Sequence, residues 1–105
     1  MPFFSKWKYL VFVCGVVMTS AHANNELQGQ QIYNDECSMC HDEGDAGAPT
    51  IGQKDTWGER LNKTTADLLQ QVLTGKGEMP PRGSCSVCTD QDIQLAIEYM
   101  LLKTK

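Results

Sequence analysis

The sequence predicts a small all-α domain of helices joined by long loops. Three observations lead there. Apolar residues recur at helical spacing in three stretches. No stretch alternates them at the two-residue period of a strand, and the tracts between are rich in glycine, proline, alanine and aspartate. With 105 residues the chain has room for one such domain, and it contains no internal repeat and no low-complexity tract.

Residues 1–23 read as a secretory leader ahead of that domain. Lys6 and Lys8 give a basic start, Tyr9 to Met18 is an unbroken apolar run, and Ala21-His22-Ala23 is a small-x-small cleavage site. The rival readings are a membrane anchor and a buried helix, but a bilayer span takes about 20 apolar residues and the run is far shorter. Cys14 makes a poor lipidation site because bulky Val13 precedes it. Cleavage after Ala23 leaves residues 24–105 as the mature domain, exported to an oxidising compartment, which in a bacterium is the periplasm. Two of the nine basic residues leave with the leader and all thirteen acidic ones stay, seven against thirteen, so the mature formal charge is −6. Such a surface repels nucleic-acid phosphates and anionic lipid, and neither is expected as a partner.

Within the mature domain the first helix is expected from about residue 26 to 36, capped by Asn24 or Asn25, with Leu27, Gln31, Ile32 and Tyr33 in a broken helical period. Residues 41–58 read as loop. A second helix is expected over 65–74, with Leu68, Leu69, Val72 and Leu73 on one side and Gly75 and Gly77 as its stop. Residues 78–83 contain Pro80 and Pro81 and are expected to be neither helix nor strand. The last helix is expected over 90–103. Thr89 caps it, Asp92 completes a variant capping box, and Ile93, Ala96, Ile97, Met100 and Leu101 form its apolar stripe. A domain this small buries too little apolar surface to stand comfortably alone and needs staples. Loops this long fit best where a cofactor fills part of the core.

The motif that names the cofactor is Cys37-Ser38-Met39-Cys40-His41. Cys-x-x-Cys-His is the attachment signal of haem c. Two thiols one helical turn apart reach the two vinyl groups on one haem edge, and the next residue presents an imidazole to the iron. Two rival chemistries use parts of the same pattern. A thioredoxin-type dithiol requires a βαβ setting, and no strand pattern is present. A zinc ribbon would recruit Cys85-Ser86-Val87-Cys88 as a second thiol pair, but the gap between the pairs is long and exported thiols oxidise.

Elimination addresses the sixth ligand. His22 leaves with the leader, so His41 is the one histidine of the mature chain and bis-histidine ligation within one chain is excluded. Of the three mature methionines, Met39 lies inside the attachment loop and Met100 on the stripe of the last helix. Met79 stands in a proline-flanked loop where packing alone does not call for it. His41 and Met79 are therefore the expected axial pair. Such ligation raises the reduction potential and leaves no open position on the iron.

These residues resemble the class I c-type cytochromes, and within them the cytochrome c5 group. The likeness runs from about Leu27 to Leu102. It rests on Gly29 and Tyr33 ahead of the attachment motif, Ala48-Pro49-x-x-Gly52, Trp57, and Gly75-Lys76-Gly77-x-Met79-Pro80-Pro81-Arg82-Gly83. The c5-like detail is Gly83-x-Cys85-x-x-Cys88-x-Asp90. The resemblance implies a small cytochrome c fold wrapped around one covalently bound haem, and a disulfide between Cys85 and Cys88. It implies that Gly29 and Tyr33 let the first helix cross the last against Ala96, Ile97 and Tyr99. The Pro49 carbonyl would accept the Nδ1–H of His41. Trp57 would pack beside the haem with its N–H toward a propionate or simply fill the core, and Arg82 would neutralise a propionate.

The function expected from these readings is a shuttle of single electrons between periplasmic or membrane-bound redox proteins, met transiently by a monomer or weak dimer, with no catalytic residue of its own. Two other classes stay open at this point. A haem-based enzyme subunit or gas sensor would follow if Met79 did not bind iron, and a zinc-structured interaction module if the four thiols stayed reduced.

Overall fold

The structure, a computed structural model, describes residue 15 and residues 20–105. The leader read over 1–23 lies outside the described residues except at 15 and 20–23. Five α-helices are present among the described residues: α1 Ser20–Ile32, α2 Ser38–His41, α3 Lys54–Trp57, α4 Thr65–Thr74 and α5 Asp90–Thr104. No strand occurs among them, only an isolated bridge between Lys76 and Met79.

α1 begins at Ser20, so Asn24 and Asn25 lie inside it instead of capping it. Nothing between residues 20 and 25 is a glycine or proline that would interrupt the helix. At its other end the chain widens into a π-turn over Tyr33–Cys37 before tightening again as α2. A π-turn inserts one residue into the helical ladder. Each inserted residue turns the following side chains by about 100° relative to an unbroken helix. The turn thus changes the direction in which Cys40 and His41 follow α1, while Cys37 stays packed against the core that α5 builds.

That packing decides the rest. Among the described elements, α1 and α5 make the most extensive helix pairing, crossing at Gly29. A Cβ on Gly29 would overlap the Leu95 carbonyl and stand 3.2 Å from Tyr99 Cβ. One turn further, the rings of Tyr33 and Tyr99 meet with centroids 5.5 Å apart. Polar ties flank the crossing, from Gln28 Nε2 to Asp92 Oδ1 at 3.0 Å and between Lys103 and Glu26 at 3.2 Å. Because the obstacle at Gly29 is backbone, Gly29→Ala should force the helices apart. We expect it to cost on the order of 2 kcal/mol in urea unfolding; a variant as stable as the parent would mean that the crossing is loose.

α4 packs on α5 from another side, burying Leu68 and half-burying Leu69, Val72 and Leu73. Its start is capped by the Thr64 hydroxyl, which accepts from Asp67 N–H at 3.1 Å. α5 carries the full capping box: Asp92 N–H donates to Thr89 Oγ1 and Thr89 N–H to Asp92 Oδ2, both at 3.0 Å. The Thr89 N–H holds the Asp92 carboxyl below the usual carboxylate range. A carboxylate with a lowered folded pKa adds stability that is complete above its unfolded pKa of about 3.9 and is lost as pH falls through the folded value. The stability difference between parent and Asp92→Asn should therefore shrink as pH drops from about 5 toward 2. A difference independent of pH would rule out the carboxylate as its source.

The core gathers Tyr33, Trp57, Leu68, Ile93, Ile97, Met100 and Leu101, which includes four of the five residues of the predicted α5 stripe; the fifth, Ala96, is buried beside them. Residues 41–58, read as loop, hold a tight turn at Asp45–Gly47 and the short helix α3. Pro81–Ser84 is a tight turn and not a helix, since Arg82, Gly83 and Ser84 all have positive φ, in line with the two prolines of 78–83.

Candidate functional site

The π-turn and α2 bring three reactive side chains to one short segment. Cys37 is half-buried and Cys40 exposed, and neither thiol is paired. Burial, reinforced by the nearby Glu36, pushes the Cys37 thiol up to about 11. His41 is 8% exposed, and its Nδ1 stands 2.8 Å from the Pro49 carbonyl. A carbonyl only accepts, so Nδ1 carries the proton and the lone pair is left on Nε2. No hydrogen bond to Nε2 exists among the described residues.

The carbonyl that orients His41 is itself held. Thr50, the next residue, donates its N–H to the Thr56 hydroxyl oxygen at 2.8 Å, and its carbonyl accepts from Trp57 Nε1 at 2.8 Å. Ile51 N–H returns to the His41 carbonyl at 2.9 Å. Trp57 is 4% exposed, and its ring lies 6.4 Å from the imidazole at 29°. The resemblance offered the Trp57 N–H to a propionate; the structure gives it to Thr50. Thr50 and Thr56 were not among the residues read as functional, since a lone threonine in a loop carries no periodicity that would single it out. Asp42 was missed likewise. It accepts a hydrogen bond from the buried Tyr33 hydroxyl, and burial followed by that carboxylate raises the Tyr33 pKa above the ordinary tyrosine range.

Met79 comes from the loop that follows α4. Lys76 and Met79 exchange backbone hydrogen bonds, each 3.0 Å, and close a tight reverse turn. Gly75, at φ 83°, makes that turn possible: a Cβ there would stand 2.9 Å from the Met79 carbonyl oxygen and from Pro81 N. Met79 lines an apolar cleft together with Cys37, Val72, Ile97, Met100 and Cys88. Met39 is 85% exposed and Met100 5% exposed on the buried stripe of α5. Cys85 and Cys88 are joined to each other, their Cα atoms 5.5 Å apart. Among the described residues no group of three or more His, Cys, Asp or Glu side chains converges as a metal site. Arg82, which the resemblance placed at a propionate, has its guanidinium on Asp90 and on the Cys88 carbonyl, each at 2.8 Å.

The donor set fits haem c. Two unpaired thiols stand three residues apart, an imidazole offers one free nitrogen, and a thioether shares an apolar cleft with one of the thiols. Residues 24–100 match the family model described as cytochrome C oxidase, cbb3-type, subunit III. A cytochrome c5 from Azotobacter vinelandii is 35% identical over 69% of this chain and 89% of its own length. The chain belongs to the class I c-type cytochromes. Two solved structures extend the likeness. A mono-haem ferrocytochrome c from Shewanella putrefaciens shares 44% identity over 73% of this chain and 94% of its own, with a TM-score of 0.63. The cytochrome in a crystal structure described as an electron transfer complex of nitrite reductase with cytochrome c shares 36% identity, covers 74% of this chain and 95% of its own, and has a TM-score of 0.70. This cytochrome therefore has the small cytochrome c fold, and its cofactor is one covalently bound haem c. Among its described residues no helix is long and apolar enough to cross a membrane.

Proposed function

We propose that this cytochrome carries single electrons between redox proteins outside the cytoplasm, through a haem attached at Cys37 and Cys40 and ligated by His41 and Met79. Bound haem supplies the one-electron iron couple. The observation that carries the reading is the protonated Nδ1 of His41 on the Pro49 carbonyl, because it leaves Nε2 as a donor and strengthens it. Met79, held by its turn at the apolar cleft, completes the set and leaves no position for a substrate. The apolar walls keep the site at low dielectric, and no protein group needs to gain or lose a proton for an electron to pass. Export follows from the leader of residues 1–23, and the cysteines agree with it: one pair joined, the other free for attachment.

The partners follow from charge. Between residues 33 and 53 there are five acidic residues, Asp35, Glu36, Asp42, Glu43 and Asp45, and no Lys or Arg. All five are exposed, and they surround the attachment segment with its exposed Met39. Redox proteins with basic docking faces suit such a surface, in small and transient complexes. The test is a visible spectrum of the mature protein, washed under denaturing conditions and refolded, oxidised, reduced and reduced under carbon monoxide. A haem spectrum that survives the wash and ignores carbon monoxide supports the carrier. Haem that binds carbon monoxide moves the protein to the sensors or enzymes, and a colourless protein ends the reading.

A further inference from the structure

We propose that Arg82 is the positioning residue of the Met79 loop, clasping it to the disulfide segment and to the start of α5 so that the thioether stays in place. The inference rests on the reading of Met79 as an axial ligand. Arg82 follows Met79 by three residues. Its Nη1 donates to Asp90 Oδ1 and its Nη2 to the Cys88 carbonyl, both at 2.8 Å. Cys88 is joined to Cys85, and Cys85 N–H returns to the Arg82 carbonyl at 3.1 Å. The four links close a ring in which Met79's downstream flank is tied to Asp90, the first residue of α5.

The backbone shows what the ring restrains. Arg82, Gly83 and Ser84 have φ of 60°, 59° and 65°, three successive residues in the left-handed region. Two of them carry side chains, for which that region is unfavourable, so the conformation persists only where contacts hold it. Upstream, the loop has its own brace in the Lys76–Met79 turn. Downstream, Arg82 makes the only side-chain hydrogen bonds of segment 77–88 among the described residues. A planar fork reaches both acceptors at once, which a lysine ammonium does not do equally well.

The experiment is an imidazole titration of the ferric holoprotein followed by its spectrum. Imidazole enters only when Met79 has left the iron, so its apparent affinity reports the fraction of molecules with the loop open. Arg82→Gln is expected to raise that affinity about tenfold, the effect of losing one charge-assisted, partly exposed pair of hydrogen bonds. Arg82→Gly relieves the backbone and removes the clasp, so it should raise the affinity as well. Asp90→Asn should have a smaller effect in the same direction, since the Cys88 carbonyl remains. Added to Arg82→Gln, it should contribute nothing further. Imidazole affinity unchanged in Arg82→Gln, with only a lower urea midpoint, would overturn the proposal. So would an Arg82→Gly variant that binds imidazole more weakly than the parent. If Arg82→Gln does not accumulate as holoprotein, Asp90→Asn decides, and an unchanged affinity there counts against the clasp. Met79→Ala separates the two claims: if it binds imidazole no better than the parent, the ligand assignment fails and not the clasp alone.

Discussion

His41→Ala is expected to reduce the yield of correctly ligated holoprotein by more than about 100-fold, since even residues that merely orient a ligand cost 10- to 100-fold when removed. The expectation comes from geometry. His41 is the one histidine of residues 24–105, it is 8% exposed, and its ring is fixed by the Pro49 carbonyl at 2.8 Å. The deletion would also leave the Pro49 carbonyl without its donor, so the segment Ala48–Ile51 should loosen together with the site. His41→Ala should be read by the absorbance of material purified after export, per mole of chain. A variant with the parent's spectrum and yield would overturn the axial assignment and, with it, the role given to Pro49.

The parts of the site that were legible in the sequence are those whose chemistry is local. Cys37 ends the π-turn, and Cys40 and His41 lie in α2 just beyond it, so the chemistry proposed for them is carried by spacing within five residues. The bounds of α4 match the expectation, and those of α5 differ by one residue, because both helices have a threonine cap and a continuous apolar stripe. The legible part ends where partners lie far apart in the chain or compete for one group. The sequence offers the Trp57 N–H a propionate or leaves the ring as core filling, and the ring is indeed buried, with its N–H on the Thr50 carbonyl. Arg82 had an imagined propionate and has Asp90, eight residues away. The π-turn at Tyr33–Cys37 has no sequence signature, since its residues carry no glycine or proline to mark it. The short α3 was hidden by glycines on both sides. It is fixed by the Thr50, Thr56 and Trp57 bonds more than by its own propensity.

Met79→Leu is the sharper of the two ligand tests, since it separates bonding from packing. Leucine fills nearly the same volume, and such swaps cost under about 1.5 kcal/mol in a packed site. Met79 lines an apolar cleft with Val72, Ile97 and Met100, so a leucine there should leave the urea midpoint close to the parent's. The iron-directed properties should change nonetheless. On the proposed ligation, losing the thioether opens the sixth position, so the ferrous form of the variant should bind carbon monoxide and the parent should not. The potential should fall by about 100 mV or more, a fraction of the roughly 0.8 V range that axial ligands command. Met79→His supplies the counterpart: six-coordination restored with nitrogen, carbon monoxide again excluded, and the potential still low because imidazole favours the ferric state relative to thioether. If Met79 were only a packing residue, leucine would preserve both the spectrum and the potential, and histidine in an apolar cleft would destabilise the fold without altering either. Only the leucine variant thus admits carbon monoxide, while both variants lower the potential, a pattern that packing alone does not produce.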